Sequence, residues 1–217
     1  MLKKNNDITI FSPNMIKIFK DCPRRFYYRY IEQIPSPFPD KEFQTGKKLH
    51  AIASYYLSGA NISKFEQVLT DKEKTLWELL KKKEYLSYDV VEIEKTMSVR
   101  LDDFWVGGRI DAIVKNGSDY YILDYKTGGV DDNMTYDFQT MIYLIMWDKI
   151  CKDASSLTFV YIDLKNNKEV KTVFSKDLKK EYTDRIISVC KEICCFKPLK
   201  YQPKNNCSCE YKNICLI

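Results

Sequence analysis

Two short segments carry the residue types best suited to chemistry: Gly108-Arg109-Ile110-Asp111 and Leu123-Asp124-Tyr125-Lys126. Side chains alternate along a strand, so Asp124 and Lys126 share one face. Between the segments lies Lys115-Asn116-Gly117-Ser118, and Asn-Gly is the strongest short hairpin signal. With the turn centred on Asn116-Gly117, Lys115 faces Ser118 and Asp111 lies opposite Ile122. Asp111 is then diagonal to Asp124, roughly 7–8 Å away at the backbone and on the same face. Two carboxylates leaning inward from there can share one divalent cation through bonds of about 2.1 Å, with Lys126 projecting beside it. The rival reading is an exposed strand face with an ordinary ion pair, since solvated sheet faces commonly alternate this way. Asp111 at the matching register tilts the balance toward a metal site.

The elements that must hold these groups follow from periodicity. Ser12-Pro13 starts a helix, as N-cap and first helical residue, with Met15, Ile16 and Phe19 facing a core and a stop near Cys22-Pro23. An aromatic-basic segment, Arg24-Arg25-Phe26-Tyr27-Tyr28-Arg29-Tyr30, comes next, and Pro35, Pro37 and Pro39 mark a loop. Helical patterns run from Gly46 to Leu57 and from Lys64 to Lys83, where Lys81, Lys82 and Lys83 read as a solvated helix end. Val91 to Val99 alternate as a strand does, and Val106–Val114 and Tyr120–Lys126 are further strands. A helix with Phe138, Met141, Ile142, Leu144 and Ile145 inward follows. Leu157–Leu164 and Lys168–Phe174 form a second hairpin turning at Asn166-Asn167, and Ser175 caps a helix to about Cys195. This order predicts an α/β fold with a mixed central β-sheet flanked by helices, in a single domain over 1–217. It divides into a helical N-terminal part (1–85), a catalytic core (86–175) and a C-terminal helix with a cysteine-bearing tail (176–217).

Composition narrows the class. Of 217 residues, 45% are hydrophobic and 30% charged, which fits neither a disordered tail nor a membrane bundle. No apolar run approaches the ~20 residues of a spanning helix, and Met1 to Asp7 lack the apolar stretch of a signal peptide, so a soluble, cytoplasmic protein is expected. The net charge of +5 permits a nucleic-acid partner without requiring one. The single histidine, His50, excludes a His-rich zinc site. Three of the eight cysteines (Cys207, Cys209 and Cys215) crowd the last eleven residues, which points to a metal or cluster rather than to disulfides. The other thiols, Cys151, Cys190, Cys194 and Cys195, read as free and buried. No Gly-x-x-x-x-Gly-Lys loop occurs, so no ATP-driven motor is visible.

Taken together, these motifs resemble the PD-(D/E)XK nuclease superfamily in its RecB-like branch. Asp111 matches the first acidic residue; Asp124-Tyr125-Lys126 matches the second acidic residue, the variable position and the lysine. Gly46-Lys47-Lys48-Leu49-His50 resembles the branch's Gly-x-x-x-His element, Glu94 the upstream glutamate, and Gln139-x-x-x-Tyr143 the Gln-x-x-x-Tyr helix motif. Glu92 lies on the same strand face as Glu94. Gln139 and Tyr143, four apart, share one helix face. Ser12 through Tyr30, with Cys22-Pro23-Arg24-Arg25-Phe26, resembles the branch's N-terminal signature, so the likeness spans nearly the whole chain.

The resemblance implies a restriction-endonuclease-like core and metal-dependent phosphodiester hydrolysis. Mg²⁺ or Mn²⁺ would be bound by His50, Asp111, Asp124 and the backbone carbonyl of Tyr125, with Lys126 positioning water or stabilising developing charge. Gln139 and Tyr143 would hold substrate phosphate or orient Lys126. The branch often carries a [4Fe-4S] cluster on one N-terminal and three C-terminal cysteines. Cys22, Cys209 and Cys215 match that pattern, whereas Cys207-Ser208-Cys209 has one intervening residue where two are usual. A four-cysteine Zn²⁺ site is the rival. Arg24 and Arg25, with the aromatics around them, could bind nucleic acid or could simply form an amphipathic helix. The expected activity is that of a DNA exonuclease, similar to the CRISPR-associated RecB-like iron–sulfur enzymes, acting in CRISPR adaptation, recombination or repair. Its DNA would be single-stranded or have free ends, presented with adaptation proteins or a helicase. The alternatives are a catalytically silent DNA-binding or scaffold subunit and a nuclease acting on RNA.

Overall fold

The structure is a computed structural model that describes residues 9–36, 44–197, 201, 207 and 209–215. The expectations for Met1 to Asp7 and for Pro37 and Pro39 lie outside the described residues.

A five-stranded sheet in the order β1-β2-β3-β4-β5 forms the middle layer. β1 (Asp89–Leu101), β2 (Phe104–Asn116) and β3 (Asp119–Lys126) form an antiparallel meander. β4 (Ser156–Asp163) lies parallel to β3, and β5 (Lys168–Val173) pairs antiparallel with β4. A parallel pair needs a crossover, and α6 (Phe138–Ile150) supplies it. Thr140 through Trp147 are buried without interruption, as befits a helix that is apolar all round.

Both faces of the sheet are covered. On one, α1 (Pro13–Asp21), α6 and α7 (Lys176–Cys194) pack Phe19, Ile142, Ile145 and Ile186 over Ile122, Phe159 and Tyr161. On the other, α3 (Gln44–Leu57) and α5 (Asp71–Lys81) pack Leu49, Ile52, Trp77 and Leu80 over Ala112, Leu123, Tyr125 and Val160. β3 is therefore buried from Ile122 to Tyr125, and Asp124 cannot be part of a solvated face. Burying a carboxylate there needs partners to offset its desolvation. No helix among the described residues is long and apolar enough to cross a membrane.

Three local expectations change. The single helix expected over Lys64 to Lys83 is two, α4 (Ser63–Gln67) and α5. Thr70 forms a capping box with Glu73, each side chain bonded to the other's backbone N–H, and so starts a new helix. Of the three lysines expected to be solvated, only Lys82 is: Lys81 pairs with Glu66 and Glu78, and Lys83 with Glu169 at 3.3 Å. The first hairpin turns at Gly117-Ser118, with Asn116 paired to Asp119. Gly117 takes φ +62° there, a left-handed conformation that glycine adopts without steric cost. Asp111 therefore does not lie opposite Ile122, which pairs with Ile113.

Candidate active site

The β2–β3 ladder stops at Ala112↔Leu123, and the site lies just beyond it. In place of a strand carbonyl, Asp111 Oδ2 accepts the Tyr125 N–H at 3.0 Å. His50 reaches in from α3, its Nε2 lying 2.9 Å from the Tyr125 carbonyl oxygen and its Nδ1 3.1 Å from Asp111 Oδ1. A carboxylate and an imidazole thus take over the next rungs of the sheet. One residue further along the register, Asp111 faces Asp124 directly rather than diagonally. A two-residue correction of register preserves the face each side chain uses, so the expected groups still meet.

Glu94 enters from β1. The flanking pairs Ile93↔Ala112 and Lys95↔Ile110 bracket Glu94 and Asp111 across the strands. Glu94 has φ +49°, a conformation non-glycine residues adopt at a cost and one uncommon inside a strand. Its carboxylate receives Arg109 Nε at 2.9 Å. Glu92, its rival on the same strand, pairs instead with Lys95 at 3.1 Å. Ligand atoms of His50, Glu94 and Asp111 all lie within 4.8 Å of one another.

Asp124 and Lys126 form the second half. Lys126 Nζ is 2.7 Å from Asp124 Oδ2 and donates to Gln139 Oε1 at 3.2 Å. It also lies over the ring of Tyr161. Gln139 Nε2 donates to Asp124 Oδ1, so one amide ties the carboxylate to the ammonium. Asp124 Oδ2 takes no well-aligned hydrogen bond and meets Lys126 through charge. α6 aims Gln139 through Asp137, whose Oδ2 accepts from Gln139 N–H and from the Tyr161 hydroxyl, each at 2.9 Å. One turn on, the Tyr143 hydroxyl donates to the Arg109 carbonyl at 2.7 Å. Gly108 leaves that ring its space: a Cβ there would come within 2.8 Å of Tyr143.

Electrostatics follow from this crowding. Burial pushes the Asp124 carboxyl up to about 6, and Asp111 adds to the push while Lys126 opposes it. Glu94 is raised by burial and by the charge of Asp111. Burial would lower Lys126, but Asp124 and Asp111 overcome it and hold the ammonium charged. Burial likewise works against His50, and Asp111 and Asp124 outweigh it. Both ring nitrogens of His50 face acceptors, an arrangement that suits a doubly protonated imidazolium or a cation drawn in beside it. Two carboxylates and an imidazole converge at one point, with Asp124 beside them turned to Lys126 and Gln139, and such hard oxygens with one nitrogen fit Mg²⁺ or Mn²⁺.

The cluster opens into a cavity of about 950 Å³ lined by α3 residues from Gly46 to Tyr55, by Glu94 and Arg109, and by Tyr125 to Gly129. Sequence reasoning missed residues that hold the segments beside it. Buried Asp163 accepts from the N–H groups of Val130 and Asn166 at 2.9 and 3.0 Å and pins the loop after Lys126. It reads in sequence as one more polar residue at a strand end. Asp137 had a signal, as an N-cap residue directly before an apolar helix.

Arg24 and Arg25 are engaged elsewhere. Arg24 donates to the Tyr201 carbonyl and the Tyr28 hydroxyl, and Arg25 pairs with Glu210 at 2.9 Å. Tyr211 donates to the Ile34 carbonyl at 2.8 Å. These contacts fold the C-terminal segment back onto α2 (Pro23–Phe26), at whose N-terminus Cys22 sits. The Cys209 N–H donates to Cys207 Sγ at 3.4 Å, and Cys215 interacts with Arg24. Among the described residues, no three cysteine sulfurs lie within 4.8 Å of one another. Of the four thiols expected to be buried, only Cys190 is, and burial pushes it up to about 12, as befits an inert core thiol; Cys151 and Cys194 are half-buried and Cys195, at the end of α7, is exposed.

Comparison with known proteins gives the same outline. The chain matches the PD-(D/E)XK nuclease superfamily over residues 10–216. The crystal structure of a candidate exonuclease from Eubacterium rectale is similar with a TM-score of 0.60 at 12% identity, covering 94% of this chain and 88% of that one. That likeness is one of fold: a mixed sheet flanked by helices, of the restriction-endonuclease-like kind. The crystal structure of SSO0001 matches at 16% identity over 82% of this chain and 96% of that one, with a TM-score of 0.36. No curated protein sequence matches the chain.

Proposed function

The chain belongs to the PD-(D/E)XK nuclease superfamily, and from that premise we propose that it is a metal-dependent deoxyribonuclease that works from DNA ends. The observation that carries this reading is the convergence of His50, Glu94 and Asp111 within 4.8 Å, beside the ion pair of buried Asp124 with half-buried Lys126 at 2.7 Å. His50, Asp111, Asp124 and the Tyr125 carbonyl would hold Mg²⁺ or Mn²⁺, with Glu94 alongside. When bound, the ion would supply a more acidic water and neutralise charge on the scissile phosphate.

The chain's own residues do the rest. Lys126 remains cationic in a half-buried place, where its charge acts on developing negative charge more strongly than it would in water. Gln139 fixes the ammonium relative to Asp124, so little reorganisation is needed during reaction. Tyr143 steadies the Arg109 carbonyl and with it the strand that carries Asp111. Arg109, exposed at the rim and paired to Glu94, offers a second positive group to a phosphate backbone.

We place the protein in CRISPR adaptation, recombination or repair. Its N-terminal segment and cysteine tail would be tied by a [4Fe-4S] cluster on Cys22, Cys207, Cys209 and Cys215. The docking of Glu210 and Tyr211 beside α2 supports a site shared by Cys22 and the tail, with a four-cysteine Zn²⁺ site as the rival occupant. Arg24 and Arg25 would then serve the tail, not the substrate.

Digestion of end-labelled single- and double-stranded DNA with Mg²⁺ or Mn²⁺ tests the activity. The unaltered chain should release label and Asp124→Ala should not; an inert chain with both metals, or an active Asp124→Ala protein, would overturn the reading. Iron analysis of an anaerobic preparation tests the cluster, with about four irons per chain expected. A folded, colourless, iron-free preparation would remove it.

A further inference from the structure

α3 sends a single stripe of side chains into the cavity. Lys47, His50, Ser54 and Tyr55 are spaced so that they share one helix face, and all four line it. Tyr55 lies five residues beyond His50, about 7.5 Å along the axis at 1.5 Å per residue. Its ring stacks on that of Phe65, with centroids 4.7 Å apart and planes inclined by 23°. Both stay open to solvent, Tyr55 at 46% and Phe65 at 39% exposure.

The pair is poorly explained as packing. Phe65 belongs to α4, which buries none of its residues. α4 is anchored instead by Glu66, which accepts from Trp77 Nε1 at 2.8 Å and from Lys81 at 3.1 Å. Phe65 therefore supports the Tyr55 ring without tying the helix to the core. A flat, backed aromatic at the wall of a cavity that also holds the metal-ligating cluster is a surface for another flat ring.

We propose that Tyr55, backed by Phe65, is a base-stacking platform for an unpaired nucleotide next to the scissile phosphate, and so selects single-stranded DNA. This rests on the reading of the His50 cluster as a nuclease centre. A base within a duplex has its faces covered by neighbours at 3.4 Å rise and cannot lie on the platform. A splayed base can, and stacking tolerates any sequence because every base has a π-face. Ser54 lies on that stripe between His50 and the platform, and Lys47, three residues before His50, would offer its charge to the strand on the far side of the cluster.

Two measurements test the platform. In steady-state cleavage, Tyr55→Leu should raise KM for single-stranded oligonucleotides roughly 5- to 150-fold, the loss of one base–aromatic stack. The effect on kcat should be smaller, and Tyr55→Phe should restore KM. An equal KM rise on blunt duplex, or none on single strands, would overturn the proposal. Separately, Lys126→Ala protein with Mg²⁺ is titrated with single strands carrying 2-aminopurine at successive positions. Quenching at one position should appear and should be lost on adding Tyr55→Leu or reduced by Phe65→Leu. Absence of any Tyr55-dependent quenching would refute the platform whatever the cleavage result. If the unaltered chain cuts nothing yet quenches through Tyr55, the nuclease reading fails while the stacking site stands.

Discussion

Lys126→Ala should slow DNA cleavage by about 10²–10³-fold, the usual cost of deleting one preorganised electrostatic donor, while DNA binding stays measurable. The geometry leaves little redundancy for this group. Lys126 Nζ is held by Asp124 at 2.7 Å and by Gln139 at 3.2 Å, over the face of Tyr161. Lys47 and Arg109 line the same cavity, but Arg109 is committed to Glu94 and neither shares the Gln139 tether. Binding survives because phosphate contacts are distributed over several cations. Removing Lys126 also removes the group that opposes the upward push on Asp124, so the Asp124 carboxyl moves higher still. Single-turnover rates should therefore be compared at saturating metal and alkaline pH, where Asp124 is ionised in both proteins. A Lys126→Ala rate within a few-fold of the unaltered chain under those conditions would sink the assignment.

Asp111, Asp124 and Lys126 of the candidate site were legible in sequence because their shared face depends on parity, and parity is robust; His50, Glu94, Gln139 and Tyr143 were legible only as motifs that resemble the family's. A strand repeats every two residues, so placing the turn at Asn116-Gly117 instead of Gly117-Ser118 shifts the register by two and leaves Asp111 and Asp124 on the same face, changing a diagonal pair into a direct one. The geometry was not legible. Nothing local says that the ladder ends at Ala112↔Leu123 and that a carboxylate and an imidazole replace its next rungs. The choice of Glu94 over Glu92 rests on a positive φ and on Arg109, both consequences of tertiary pairing. The Thr70–Glu73 capping box was visible as Thr-x-x-Glu but lay inside a long helical pattern that masked it. Asp163 and Asp137 position loops and helix ends around the chemistry, and only their partners in space reveal that. For Arg24 and Arg25, charge and aromatic neighbours suggested nucleic acid; the tail, distant in sequence, takes them.

The second large effect concerns metal itself. Mg²⁺ or Mn²⁺ at a hundredfold over its dissociation constant should stabilise the unaltered chain by about 2.7 kcal/mol, which for a chain of this size raises Tm by roughly 5–11 °C. Asp111→Asn should abolish that shift and cleavage together. The substitution is close to isosteric, so its amide oxygen can still accept the Tyr125 N–H now taken by Asp111 Oδ2 at 3.0 Å, and the fold persists. Its amide nitrogen would donate toward His50 Nδ1, where a carboxylate oxygen now lies at 3.1 Å. A neutral imidazole, donating from Nε2 to the Tyr125 carbonyl, then satisfies the pocket without any cation. The unaltered site differs: Glu94 and Asp124 each face the charge of Asp111, Arg109 and Lys126 offset part of it, and a proton on His50 or a bound ion offsets more. Metal must displace that proton, so the thermal shift of the unaltered chain should grow as pH rises through the raised His50 pKa. A metal-induced shift of equal size in Asp111→Asn, or one that shrinks with rising pH, would show that the ion binds somewhere else.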